Sequence, residues 1–415
     1  MPMMCDKKFC VVGIGYVGLP CAVMLASAGC KVLGVDIDKE YVKSINNGTA
    51  CVEDGLSELL LSPRVRENLI ASTKIESADV FIIAVPTPID HRKKIADLSA
   101  LKNAARSVAS AIKKGDLVII ESTVPPLSLR DILAPIFYEN GMIAGEDFYL
   151  AHCPERLLPG NIVYEIIYNN RIIGGITAQS AQRAADVYRL FVKGAIALTD
   201  DVTAELCKLI ENAYRDVNIA LANELSEVCA DIGVNINEAI DLANMHPRVS
   251  LLKPGIGVGG HCLPIDPWFI HEVSPYNSTM IRTARLINDA RPLAIAAKIR
   301  AMISADMTQD ILILGKTYKE ETNDVRESPA LRIIEMLRAD GYRISSYDPF
   351  VDTSVSLKEI ASSVRYIFVL VSHKQLLKEL DELISEYRKS GKSEPRVVFY
   401  SPQSSAENTT GLIIV

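Results

Sequence analysis

Apolar and polar positions along this chain follow two rhythms. Short continuous apolar runs at residues 9–12, 31–35, 80–85, 117–121, 148–151 and 171–174 are separated by stretches with apolar residues at helical spacing, the first of them 19–28. Runs of this length read as strands buried on both faces, and their alternation with helices predicts a parallel, doubly wound sheet. Residues 201–232 then hold helical spacing without an internal proline for far longer than an average helix, and 278–302 form a second helical block. The first rhythm returns near the end, where runs 311–314, 343–347, 365–371 and 396–400 enclose helical patterns at 331–339 and 375–389. The predicted fold class is α/β: two doubly wound parallel-sheet domains joined by a long central helix and a helical region, divided as 1–200, 201–305 and 306–415. No internal repeat is visible. The polar stretch from residue 401 is expected to be loose, apart from the apolar end 411–415.

The turn between the first strand and the first helix reads Gly13-Ile14-Gly15-Tyr16-Val17-Gly18, and the second strand ends at Asp36. In a strand–turn–helix–strand unit this spacing is a dinucleotide fingerprint. Gly13 allows the sharp turn, Gly15 lets a pyrophosphate touch the backbone, and Gly18 brings helix and strand together. The helix N-terminus then holds the phosphates. Asp36 accepts bonds from ribose hydroxyls and repels a 2′-phosphate, which favours NAD over NADP; FAD or a degenerate site is the alternative. The domain is accordingly expected to be Rossmann-like, with Gly13, Gly15, Tyr16, Val17, Gly18 and Asp36 as cofactor contacts. Thr87, in Val85-Pro86-Thr87-Pro88, and Thr123, in Ser122-Thr123-Val124-Pro125-Pro126, each follow an apolar run. Such positions border the ligand crevice of an open α/β sheet, although ordinary turn chemistry explains Pro and Thr there equally well.

The segment from Gly255 to Pro267 places four glycines in six positions just ahead of His261 and Cys262, with Pro264 and Asp266 following. Glycines let backbone approach a ligand closely, and a proline two residues after the cysteine suits a first helical turn. Cys262 at a helix N-terminus would favour thiolate and so become a nucleophile. An inert cysteine behind a tight structural turn is the plainer alternative. Glu155 and Arg156 follow the strand at 148–151, offering a general acid/base or water-positioning carboxylate and an anion clamp. On the long helix, Glu205, Lys208, Asn212 and Arg215 share one stripe. That stripe is either a solvated face with a Glu–Lys pair or a set directed into a cleft, where Lys and Asn suit an alkoxide. His152-Cys153 and His261-Cys262 lack metal-ligand spacing, so no metal is expected.

Net charge −7, with 49% hydrophobic and 23% charged residues, describes a folded globular chain. It argues against nucleic acid or an anionic membrane as partner. No apolar stretch reaches the length of a bilayer span. The apolar residues 9–12 run straight into the glycine turn, so no signal peptide is expected. Nine cysteines without framework spacing fit a reducing, cytoplasmic setting.

Taken in order, the glycine turn, Val85–Pro88, Ser122–Pro126, Pro154-Glu155-Arg156, Lys208 with Asn212, and Gly259–Cys262 through Asp266 resemble the UDP-glucose/GDP-mannose dehydrogenase family. Gly315-Lys316-Thr317-Tyr318-Lys319 and Asp324–Pro329 extend the likeness, which runs from residue 9 to about residue 400. Cys153–Gly160, Met245–Arg248, Pro267–Phe269 and Val371-Ser372-His373-Lys374 are most similar to members acting on UDP-N-acetyl-D-mannosamine, with those acting on UDP-N-acetylglucosamine nearest to them.

The resemblance implies oxidation of the sugar C6 alcohol to a carboxylate with two NAD, through a thiohemiacetal and thioester on Cys262. It assigns Lys208 to the alkoxide, Asn212 and Asp266 to the oxyanion and orientation, and Glu155 with Thr123 to the hydrolytic water. Arg156, Leu157, Lys208, Asn212, Arg215, His246, Arg248 and Gly259 would line the sugar and diphosphate. Tyr318 and Lys319 would cover the UDP, and Arg326 would reach toward the cofactor. It further implies pairing through the long helix, with the Arg248 segment entering the partner's site, hence a homodimer or homotetramer.

Three departures from the family pattern stand out. Ile256 replaces a usual Pro, Leu127 a usual Gly, and Val397–Pro402 an Asp-Thr-Arg run. These are expected to loosen the turn before Cys262, to repack the loop after Pro126, and to alter the last nucleotide contact. A two-electron β-hydroxyacid-type dehydrogenase and a non-catalytic nucleotide sensor are the rival functions.

Overall fold

The computed structural model describes residues 6–50, 55–156, 160–303, 310–361, 364–390, 393–400 and 413–414. Two compact units are formed, Met1–Glu211 with Trp268–Pro275, and Asn212–Pro267 with Tyr276–Val415.

The first unit is built on strands β1 (Lys8–Val12), β2 (Lys31–Val35), β3 (Leu69–Ser72), β4 (Val80–Ile83), β7 (Leu117–Ile120), β8 (Tyr149–His152), β9 (Arg171–Gly175) and β10 (Ile196–Asp200), with the small hairpin β5 (Ile89–Asp90) and β6 (Ile95–Ala96) beside them. The sheet order is β10-β9-β8-β7-β4-β1-β2-β3. Because successive side chains point to opposite faces, Phe9 and Val11 join Val80 and Ile82 on one side, against helix Gly18–Ser27. Cys10 and Val12 join Phe81 and Ile83 on the other, against helix Ser99–Ala109. Both faces are covered, which is why these strands read as unbroken apolar runs. The chain departs from β1 toward β2 and β3 on one side and toward β4 on the other. The crevice at that reversal, outside the carboxyl ends of β1 and β4, is where open α/β sheets bind ligands.

The expected parallel order holds from β3 across to β8. There it stops: β9 pairs antiparallel with β8, and β10 runs parallel to β9. An antiparallel neighbour needs no crossover to the far end of the sheet. The connection 153–170 therefore stays at the carboxyl end of β8, and with it Glu155 and Arg156.

The second unit carries β11 (Asp310–Leu314), β12 (Arg343–Tyr347), β13 (Tyr366–Val369), β14 (Arg396–Phe399) and β15 (Ile413–Ile414) in the order β12-β11-β13-β14-β15, all parallel. Ile311 and Ile313 face helices Pro329–Ala339 and Thr279–Met302, while Leu312 and Leu314 face helix Lys374–Ser390. The expected long helix runs Asp201–Ile232, and its residues from Asn212 onward belong to this unit. The loose tail expected from residue 401 lies outside the described residues, except for β15.

Candidate active site

The cofactor turn is built by exclusion. Gly13 has φ +86°, and a Cβ on it would lie 2.6 Å from the carbonyl oxygen of Ala84. A Cβ on Gly18 would lie 1.9 Å from the oxygen of Gly13, so no side chain fits where helix and strand cross. A Cβ on Gly15 would meet nothing within 4 Å, which leaves the open space a phosphate needs. Helix Gly18–Ser27 starts without a side-chain cap or an acidic residue in its first turn. Its N-terminal dipole is thus left for an anion. Asp36 lies just past the carboxyl end of β2, half-buried, its carboxylate accepting the Asp38 N–H at 3.1 Å. These residues fit NAD.

The loops after β4 and β7 are latched together. Ser122 Oγ accepts the Val85 N–H at 2.9 Å and donates to the Val85 carbonyl at 2.7 Å, and Thr87 Oγ1 donates to the carbonyl of Thr123 at 2.7 Å. Thr87 and Thr123 therefore meet at the crevice, and the Thr123 hydroxyl makes no bond among the described residues. Ser122, the keystone, was missed in the sequence; a hydroxyl closing an apolar strand was its one signal.

The stripe on the long helix is not a solvated face. Glu205, Lys208 and Asn212 are all buried, and Arg215 alone is exposed. Glu205 is turned away from Lys208, its carboxylate accepting the N–H groups of Leu127 at 2.7 Å and Leu129 at 2.9 Å. Lys208 makes no hydrogen bond or ion pair among the described residues and sits in the field of Glu155. Burial pushes the Glu155 carboxyl up to about 7, opposed by the charges of Lys208 and Arg171, and its Oε1 is sealed without a hydrogen-bond partner. An acid near its ionisation point beside a buried ammonium is suited to proton transfer or to holding a water. Arg156 pairs with Glu211 at 3.1 Å, three residues beyond Lys208. Leu157 lies outside the described residues.

Behind Glu155 lies a buried group that the sequence did not announce. Tyr188 donates to Glu121 at 2.6 Å, and the Arg171 guanidinium lies 5.3 Å from the Tyr188 ring. Burial pushes the neighbouring Cys153 thiol up to about 11. The His152 imidazole is held down to about 4 by burial, opposed by the backbone of Ile120. Both groups are thereby held in their uncharged forms.

In the second unit, Cys262 is half-buried and unbridged. The helix begins four residues later than the cysteine, at Asp266, and the Cys262 carbonyl accepts the Ile265 N–H at 3.0 Å and the Asp266 N–H at 2.9 Å. Cys262 thus opens the turn that leads into helix Asp266–Val273. Buried Asn212 donates to buried Asp266 at 2.6 Å, tying the long helix to that turn. The glycines ahead of the thiol are required by close approach: a Cβ on Gly259 would come within 2.6 Å of the Glu327 oxygen and 2.7 Å of Tyr318 Cβ. Gly260, at φ +83°, donates its N–H to the Arg326 carbonyl at 3.0 Å. Ile256, in place of the usual Pro, is buried in the core with Ile295 and Ile333 and anchors the loop that it was expected to loosen.

Tyr318 faces this loop in the field of Cys262, Asp324, Arg326 and Arg215, and burial is the main cause that raises its hydroxyl above the ordinary value. Lys319 Nζ lies 5.7 Å from the Tyr318 ring. Arg326 is held by Asp324 through Nε at 2.9 Å and Nη2 at 2.7 Å. His246 and Arg248 are exposed, 3.4 Å apart at their ring and guanidinium nitrogens.

A glycine-turned βαβ unit with a terminal acid, together with a buried Lys208 in the field of Glu155, fits a nicotinamide-dinucleotide dehydrogenase. Models of the NAD-binding, central and UDP-binding domains of the UDP-glucose/GDP-mannose dehydrogenase family match residues 7–192, 202–290 and 312–394. The UDP-N-acetyl-D-mannosamine dehydrogenase of Methanocaldococcus jannaschii is 46% identical over 88% of this chain and 86% of its own. The NDP-N-acetyl-D-galactosaminuronic acid dehydrogenase of Ralstonia nicotianae is 44% identical over 80% of each. The solved UDP-D-ManNAc dehydrogenase of Pyrococcus horikoshii superposes with a TM-score of 0.89 at 39% identity, covering 98% of both chains. The chain belongs to the UDP-glucose/GDP-mannose dehydrogenase family and is an NAD-dependent nucleotide-sugar dehydrogenase.

Proposed function

We propose that this enzyme oxidises the C6 alcohol of UDP-N-acetyl-D-mannosamine to the uronic acid in two steps that share Cys262. The observation carrying the reading is the buried Asn212–Asp266 bond at 2.6 Å, which fastens the long helix to the turn that Cys262 opens. NAD supplies the hydride acceptor for each oxidation. Lys208 stabilises the alkoxide of the first step. A bare aldehyde cannot release a second hydride without an added nucleophile; the Cys262 sulfur adds to its carbon, Asn212 donates to the resulting oxyanion, and Asp266 orients that amide through their shared bond. The adduct is again oxidisable and becomes a thioester. Glu155, with Thr123, takes a proton from the water that releases the acid and frees the thiol. Arg156, Leu157, Arg215, His246, Arg248 and Gly259 belong to the sugar and diphosphate, Tyr318 and Lys319 to the uridine nucleotide, and Arg326 to the cofactor side.

The sugar assignment is supported by relatives named for UDP-N-acetyl-D-mannosamine at 42–46% identity. The Ralstonia relatives support a second reading, an NDP-N-acetylgalactosamine-type substrate. Pairing of two chains is supported by Tyr214, Leu221 and Val228, which recur every seventh residue along the long helix and are all exposed.

The test is stoichiometry across a panel of UDP- and GDP-sugars, read as NADH. Two NADH per UDP-N-acetyl-D-mannosamine is expected; one would leave a single-step alcohol dehydrogenase. Cys262→Ser is expected to bind UDP-sugar normally while acid formation falls at least about a hundredfold. Ordinary acid production by that variant would overturn the covalent step.

A further inference from the structure

His373, singled out in the sequence only as part of a motif, is fully buried and bonded on both ring nitrogens. Its Nδ1 accepts the Glu321 N–H at 2.9 Å. That bond fixes the tautomer: the proton sits on Nε2, which lies 3.0 Å from Thr317 Oγ1 and 3.1 Å from Asp348 Oδ2. Thr317 Oγ1 in turn donates to the carbonyl of Lys319 at 2.8 Å. Asp348 Oδ2 also accepts the N–H groups of Lys316 at 2.7 Å and Thr317 at 3.2 Å. One imidazole therefore brackets the loop at 317 and 321, with Tyr318 and Lys319 between its two points of attachment.

The clamp holds a conformation that the loop would not choose. Glu321 has φ +55°, in the left-handed region that a side chain disfavours. Its N–H is taken by His373, and its own Oε1 accepts the N–H of Lys374 at 2.8 Å, so both bonds to residues 373–374 depend on that backbone shape. The far side of the imidazole rests on Phe350, ring centroids 4.7 Å apart.

We infer that His373 is a positioning residue for nucleotide binding: it sets the shape of loop 316–321 so that Tyr318 and Lys319 are presented to the uridine nucleotide before it arrives. A preformed loop spares the ligand the cost of ordering it. The inference rests on reading Tyr318 and Lys319 as nucleotide contacts.

The experiment measures UDP binding to the intact protein by calorimetry, with steady-state kinetics alongside. His373→Phe keeps the ring on Phe350 and removes both nitrogens. It should weaken UDP binding and raise the UDP-sugar KM about tenfold, leaving kcat and the NAD KM unchanged. His373→Asn places an amide oxygen where Nδ1 accepts Glu321, and should recover binding to within roughly threefold of the wild type. Thr317→Val, which breaks only the hydroxyl bridge, serves if the Phe variant does not fold and should also weaken UDP measurably. Lys319→Ala calibrates the set. If it leaves UDP binding intact, the loop is not the nucleotide site and the underlying reading fails. If it weakens UDP while folded His373 and Thr317 variants bind normally, the positioning inference alone is overturned.

Discussion

Glu155 is an acid poised at the point of ionising, and its pH behaviour follows from that. Desolvation raises it to about 7, so it is neutral below that pH and a carboxylate above. If it is the base that activates water, the thioester-releasing step should rise as pH passes through about 7. Glu155→Gln should abolish that limb and slow the step roughly a hundredfold or more; an unchanged limb in single-turnover acid release would remove Glu155 from the role. The linkage runs the other way for stability. Folding favours the protonated form, so the contribution is present below the unfolded value and is lost as pH climbs through the folded one. Glu155 and Arg156 were legible because they follow a strand in an α/β pattern. Glu121 and Arg171 were not, because a residue inside an apolar strand reveals its burial but not its partner, and theirs come from β7, β9 and helix Ala178–Tyr188.

The loop after β7 shows how one element leans on another far along the chain. Leu127, where the family usually has Gly, was expected to repack this loop. Instead it adopts φ +73°, the conformation a glycine would supply. Its N–H is held by Glu205, 78 residues away. A left-handed Leu costs about 1–2 kcal/mol, and a glycine would return roughly 0.5–1 of that as chain entropy. Leu127→Gly should therefore stabilise the protein by about 0.5–1 kcal/mol, seen as a melting temperature higher by roughly one to three degrees. A drop in melting temperature would mean that the half-exposed side chain contributes more than its backbone costs. Helical spacing placed Glu205 and Lys208 on one stripe correctly. It could not say that Glu205 would be consumed by backbone amides while Lys208 was left for Glu155. The reversal at β9 was likewise invisible, since apolar runs carry no strand direction.

For the whole molecule, the order of motifs was enough to identify the family. Compactness divides the chain differently, cutting the long helix between Glu211 and Asn212. Periodicity sees a helix as one object, whereas packing assigns its two ends to separate cores. The seven-residue recurrence of Tyr214, Leu221 and Val228 gives the assembly a direct test. Leu221→Asp with Val228→Asp puts charge on the proposed seam. The pair should reduce the mass seen by light scattering to that of one chain and, on the proposal that Arg248 serves a neighbour's site, cut turnover at least about tenfold. An unchanged mass would move the interface elsewhere.

The thiol's position is fixed by what its loop lacks. Tyr318, Glu327 and Pro329 fill the volume where Gly259 would carry a side chain, and Pro292 crowds Gly257 in the same way. A side chain at either position would have to displace its neighbours, whereas one at Gly255 would meet nothing within 4 Å. Room to reshape this loop therefore lies at its start, ahead of the glycines that pack against Tyr318 and Pro292.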